Sequence, residues 1–214
     1  MQLAAYWSSA VLPPFGRDTG ARPTRPHCTA FFSKYGRELG AREYAERSIV
    51  QDALLGAIYS PRVVGLFVTR RTVGLRVRLP DDPGVLNIWN NDDNESVDLC
   101  GEDPFAHHYF TADIYFTAKL YFSVPPQPRP KGSRAHITLA VATGVSTMET
   151  GIDALRLVDA ELNQRPDIGR FNMPDGVIRE ISITTPDSKY LMDSAFYYQF
   201  SVPRDLRLMY SAYY

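Results

Sequence analysis

Cysteine is scarce in this chain. Cys28 and Cys100 are its two, and neither falls in a CxxC pair or at a spacing that closes a zinc site. No metal centre is therefore expected, and a reducing, cytoplasmic setting fits the composition. An excess of one charge is also lacking: 23 basic side chains meet 24 acidic ones for a net charge of -1. Any attraction to nucleic acid must then come from a local patch, and long duplexes are not the first expectation. No apolar run approaches the roughly 20 residues that cross a bilayer. Residues 1–15 are fairly apolar, but no basic region precedes them and Ser8, Ser9, Pro13 and Pro14 interrupt them, which makes a poor signal peptide. The last four residues hold no cysteine that could be prenylated, so no membrane anchor is expected. The phosphate-cradling pattern GxxxxGK[ST] is missing too, so no ATP site is expected and no cofactor is implied.

What is present suits a globular chain. With 214 residues, 44% of them hydrophobic, there is enough for one sizeable core and little for two. A single domain over 1–214 is expected, with an inserted acidic and aromatic segment at about 80–130. Helical spacing of Ala41, Tyr44, Ala45, Ile49, Ala53 and Leu54 predicts a helix over 40–55, stopped by Gly56. Residues 63–69 and 73–79 read as adjacent strands. The acidic stretch 80–104 reads as an exposed loop with a short strand at 85–89, since Asp92, Asp93, Asn94 and Glu95 lack the ligand alternation of a calcium loop. Residues 109–124, with Phe110, Tyr115, Phe116, Tyr121 and Phe122, predict a hairpin or edge extension before a stiff proline-rich linker. A strand over 135–141 and a helix over 147–162 follow, the latter capped by Ser146 or Thr147. Strands are expected at 176–184, 191–202 and 206–213, with turns at 186–188 and 203–205. The order strand, helix, several strands thus occurs twice, which indicates an α+β fold of two similar halves.

Two short motifs carry chemistry. Side chains at i and i+2 of a strand share a face, so His27 and Thr29 present an imidazole and a hydroxyl together while Cys28 turns away; His136 and Thr138 repeat the geometry. One such motif is weak evidence, but the pair matches a reaction. Opening a cyclic phosphodiester needs a base for water, an acid for the departing sugar oxygen and donors for the phosphoryl oxygens. Two histidines and two threonines supply these groups without a metal, and histidine, with its ordinary pKa of about 6.5, suits both proton tasks.

These residues lie in stretches that resemble a known family, the 2',3'-cyclic-nucleotide 3'-phosphodiesterases of the 2H phosphoesterase superfamily. The similarity runs through Pro26-His27-Cys28-Thr29 to Lys34-Tyr35-Gly36 and Gly40-Ala41-Arg42-Glu43-Tyr44-Ala45, then residues 57–74. It is strongest in Lys131-Gly132-Ser133-Arg134-Ala135-His136-Ile137-Thr138-Leu139, and it continues in Thr150-Gly151-Ile152-Asp153 and 206–214. The resemblance implies a bilobal 2H fold, two antiparallel β-sheets around a central groove with outer helices. It implies hydrolysis of 2',3'-cyclic nucleotides or RNA cyclic phosphate ends to 2'-phosphates. His136 would activate the water, His27 would protonate the O3' leaving group, and Thr29 and Thr138 would hold the phosphate. Phe32 matches an aromatic residue beside the base, Arg134 a basic position near the active site, and Tyr6 or Trp7 could form a second wall.

The same histidine pair could serve a 2',5'-linked oligoadenylate or a cyclic dinucleotide, because it can expel either sugar oxygen. A different class is a non-catalytic single-stranded RNA-binding or scaffold protein that stacks bases on the 109–122 aromatics beside Arg129, Lys131 and Arg134. The expected partner is a nucleotide or short single-stranded RNA; the motifs do not bear on oligomeric state.

Overall fold

The computed structural model describes residues 27–31, 37, 40–54, 56–89, 128–183 and 193–210. Phe32, Tyr6, Trp7, Cys100, the expected hairpin at 109–124 and the turn at 186–188 lie outside the described residues.

The strands are β1 (Ile58–Tyr59), β2 (Arg62–Val68), β3 (Thr72–Arg78), β4 (His136–Val141), β5 (Asp167–Met173), β6 (Gly176–Ile183), β7 (Asp193–Asp205) and β8 (Leu208–Met209). The helices are α1 (Ala41–Ala45), α2 (Ser48–Ala53), α3 (Pro83–Leu86) and α4 (Glu149–Leu162). The fold is α+β, with a six-stranded sheet ordered β4-β3-β2-β7-β6-β5 and a two-stranded sheet, β1-β8. Every strand pairing is antiparallel. In the large sheet, β2 to β4 and β5 to β7 form two three-stranded groups joined where β2 meets β7, so the repeated element order is realised as two halves of one sheet.

The two faces of this sheet are covered differently. Val77, Ala135 and Ile137 point to the side where Ala53, Val85, Ile88 and Trp89 close one apolar cluster. On the other side, Ala154, Leu157 and Ala160 of α4 pack on Phe67, Ile181, Ile183, Ala195 and Tyr197. Each large apolar side chain removed from water in this way contributes about 1.5–3 kcal/mol before conformational entropy is set against it. Gly74 in β3 permits the close approach: a Cβ there would stand 2.5 Å from the Phe67 ring and 2.8 Å from the Thr150 methyl.

Several expected elements take another form. The helix over 40–55 is two short helices, because Arg47 between them is extended (φ -63°, ψ 131°). Gly56, expected to end it, has φ +97°, a conformation glycine adopts without strain. The expected strand at 85–89 is instead the single-turn α3, begun by Pro83 at its first position and by the Asp82 carboxylate accepting from the Gly84 N–H at 2.8 Å. The strand expected from His27 is reduced, among the described residues, to one bridge between Cys28 and Ile137. The turn at 203–205 is absorbed into β7, and of the strand expected at 206–213 the described residues 206–210 hold only the two-residue β8. Strand β5 was not foreseen. At the start of α4 neither Ser146 nor Thr147 is the cap; Met148 is, and its N–H donates to Ser146 Oγ at 3.3 Å.

Candidate active site

The two His-x-Thr motifs meet across a single point of antiparallel pairing. Cys28 bridges Ile137, and antiparallel register then sets His27 opposite Thr138 and Thr29 opposite His136. Cys28 and Ile137 turn into the apolar cluster. Alternation along β4 puts His136 and Thr138 on the other face, the one α4 covers, and the charge of His27 acts on the His136 ring. The anchoring is hydrophobic: partly buried Cys28 packs into the cluster, and Phe31 stacks on Tyr44 of α1 with ring centroids 4.4 Å apart. Tyr44 in turn donates to the Ile88 carbonyl at 2.8 Å. Burial pushes the Cys28 thiol up to about 12, so it stays protonated and structural rather than nucleophilic.

His136 is the first residue of β4 and is 9% exposed. Its Nδ1 lies 2.7 Å from the Arg134 carbonyl oxygen. A carbonyl only accepts, so Nδ1 carries the hydrogen and the neutral ring leaves its Nε2 lone pair available. Burial lowers its pKa below the ordinary histidine value; the Arg134 carbonyl opposes this, while the charges of Arg134 and His27 reinforce it. The ring is thus held neutral, in one tautomer, as a general base requires. His27 is exposed, and Thr29, Thr138 and Arg134 are half-buried.

The first turn of α4 lies against this ring. A Cβ on Gly151 would stand 3.0 Å from His136 Cε1 and 2.8 Å from Arg134 Nε, so the helix backbone packs closely on both side chains here. Gly151 appeared in the sequence only as part of a family-like stretch; a glycine inside an otherwise apolar-periodic helix was the available signal. Gly151→Ala is expected to push the ring by a few tenths of an ångström and to reduce kcat/KM by less than the roughly 10²-fold that a full ångström of misplacement costs. Because alanine favours a helix by about 1 kcal/mol over glycine, the helix itself should persist. Circular dichroism with steady-state kinetics checks both, and unchanged turnover would show that the contact does not position His136.

Behind that turn Asp153, fully buried, fixes α4 to the β2–β3 connection. It accepts from Thr69 Oγ1 and Thr72 Oγ1, each at 2.8 Å, and from Arg71 at 2.8 Å and Arg156 at 2.9 Å. Glu149 holds the same Arg71 at 2.9 Å. Sequence reading did not single out this cluster, because Thr69 and the carboxylate it meets at Asp153 are 84 residues apart.

The family model for 2',3'-cyclic nucleotide 3'-phosphodiesterase (CNP or CNPase) matches residues 15–171. The chain belongs to this family. It is 32% identical over 135 residues to the 2',3'-cyclic-nucleotide 3'-phosphodiesterase of Pongo abelii, covering 63% of this chain and 25% of that protein. With the protein of the same name from Mus musculus it is 32% identical over 132 residues, 62% of this chain and 24% of the relative. The chain therefore spans about a quarter of the length of the curated relatives it matches. Among the described residues, no helix is long and apolar enough to cross a membrane.

Proposed function

We propose that this chain is a single bilobal 2H phosphodiesterase domain, acting in the cytoplasm, that opens the 2',3'-cyclic phosphate of nucleotides or RNA ends to a 2'-phosphate with two histidines and no metal. The observation that carries this reading is the pairing of the two His-x-Thr motifs on either side of the Cys28–Ile137 bridge, with His136 Nδ1 held by the Arg134 carbonyl. His136 Nε2 takes a proton from water as the water oxygen bonds to phosphorus. The P–O3' bond breaks, and His27 delivers its proton to O3'. Thr29 and Thr138 donate to the phosphoryl oxygens, and the Arg134 guanidinium balances their charge. Phe32 and Tyr6 are assigned to the base.

Regiochemistry and metal dependence test the reading together. With a chelator present, 2',3'-cyclic AMP should yield the 2'-phosphate. Exclusive 3'-phosphate, or activity lost to the chelator and restored by a divalent ion, would reject it. A parallel panel of 2',5'-linked oligoadenylates and cyclic dinucleotides should be turned over more slowly; strong preference for either would transfer the histidine pair to that substrate.

The pH profile follows from His136. A base works in its unprotonated form, so activity falls as pH drops through the base's pKa in the free enzyme. Since burial lowers that pKa, the acid limb of kcat/KM should lie below the ordinary histidine value of about 6.5. An acid limb at or above pH 7 would contradict the assignment of His136 as base.

A further inference from the structure

Toward the C-terminal end of α4 the sheet carries a polar cavity of about 360 Å³, lined among others by Arg76, Arg78, Arg179, Tyr197 and Glu161. A neighbouring cavity of about 300 Å³ shares Arg76, Arg78 and Glu161 and extends to Lys131, Gly132 and Ser133. Among the described residues, four cations thus line adjoining cavities that have one carboxylate in their wall. Glu161 is committed to Arg76 at 2.5 Å and Arg179 at 3.0 Å, and Arg179 also pairs with Asp167 at 2.9 Å. Among the described residues two carboxylates therefore pair with these cations, and Arg78 and Lys131 are exposed to solvent. In a chain of net charge -1 this is a local concentration of positive charge.

The groove is connected to the candidate active site. Arg76 is the residue opposite His136 in the β3–β4 register. The Lys131 turn leads directly into Arg134 and His136. Helix α4 spans both places, with Gly151 at the His136 ring and Glu161 at the groove, ten residues or about 15 Å of helix.

A 2',3'-cyclic phosphate occupies the 3' end of a ribonucleotide chain, so any remaining chain leaves the reacting nucleotide through its 5' phosphate. Guanidinium groups suit phosphate recognition, and a backbone held in this way is bound without regard to base. We infer that the groove binds the phosphates on the 5' side of the cyclic end, making short oligoribonucleotides better substrates than cyclic mononucleotides. The inference rests on the phosphodiesterase reading and adds to it a second subsite with its ligand, a single-stranded RNA tail.

The test compares 2',3'-cyclic AMP with a tetraribonucleotide ending in a 2',3'-cyclic phosphate, for wild type and an Arg78→Gln, Lys131→Gln double variant. The wild type should show a KM at least about 5-fold lower for the tetranucleotide. The double variant should lose that difference with cyclic AMP turnover unchanged, and its log KM should vary less with log salt, by about 0.7 for each phosphate contact removed. A KM independent of length, or the same length dependence in both proteins, overturns the subsite. An equal change for cyclic AMP and the tetranucleotide also overturns it, because the groove would then hold the reacting nucleotide itself. If neither compound is hydrolysed, the phosphodiesterase reading fails separately. The groove is then decided by fluorescence anisotropy with a labelled tetranucleotide ending in a 3'-phosphate: salt-sensitive binding weakened in the double variant supports it, and equal binding overturns it.

Discussion

Replacing His136 by alanine should reduce kcat/KM on 2',3'-cyclic AMP by about 10²- to 10⁴-fold, the range for loss of a positioned acid or base, and His27→Ala should fall in the same range. The two variants should differ in their pH profiles. Without His136 the acid limb attributed to its burial-lowered pKa disappears, whereas His27→Ala keeps that limb. Combining them should cost less than the product of the single losses, since one proton relay is already broken by either change. Folding is a lesser concern for His27, which is exposed, than for His136, which is 9% exposed and packed against Gly151. Thermal unfolding of each variant separates the two effects, and a folded variant retaining near-normal turnover would reject the pair. Thr29→Ala and Thr138→Ala, each removing one hydroxyl donor, should have smaller effects.

The geometry of the pair was legible because it depends on the simplest regularity in the chain, the period of two along a strand. Knowing that residues 136 to 138 form a strand already puts His136 and Thr138 on one face, and Ile137 in β4 does turn into the apolar cluster. Helix α4 was legible for a similar reason: Leu155, Leu157 and Val158 recur at helical intervals and are buried. What failed was local competition between signals. Residues 85–89 include Val85 and Ile88, which favour a strand, but Asp82 and Pro83 supply a helix start just before them. Strand β5 was missed because it lies at the sheet edge with Ile168 62% and Phe171 60% exposed, so its apolar residues do not mark a buried face. The surroundings of His136 were hidden for a different reason. Arg76 comes opposite it through strand register and Gly151 through the approach of a distant helix, and neither relation is written in the residues next to them.

Asp153→Ala should be among the most damaging changes to stability, costing about 3–5 kcal/mol, as expected when one partner of a buried ionic cluster is removed. The reason lies in the groups left behind. The Arg156 side chain is 3% exposed and that of Arg71 11%. Burial already lowers the pKa of Arg156, and Asp153 is the neighbour that most strongly restores its charged form. Arg71 would keep Glu149 at 2.9 Å, but Arg156 would lose its 2.9 Å contact, and Thr69 and Thr72 would each lose an acceptor. Against a total stability of about 5–15 kcal/mol, such a loss threatens folding near body temperature. Exchanging Asp153, Arg71 and Arg156 together for apolar residues of similar volume should recover much of it, since Glu149, the charge then left without Arg71, is 34% exposed and can be solvated. Urea denaturation of the single and triple variants measures both. A single-variant loss below about 1 kcal/mol would mean that solvent or rearranged neighbours compensate the arginine. The same variants separate anchoring from chemistry: because Asp153 is two residues from Gly151, a triple variant that folds well yet turns over slowly would show that this carboxylate also holds the helix turn against His136.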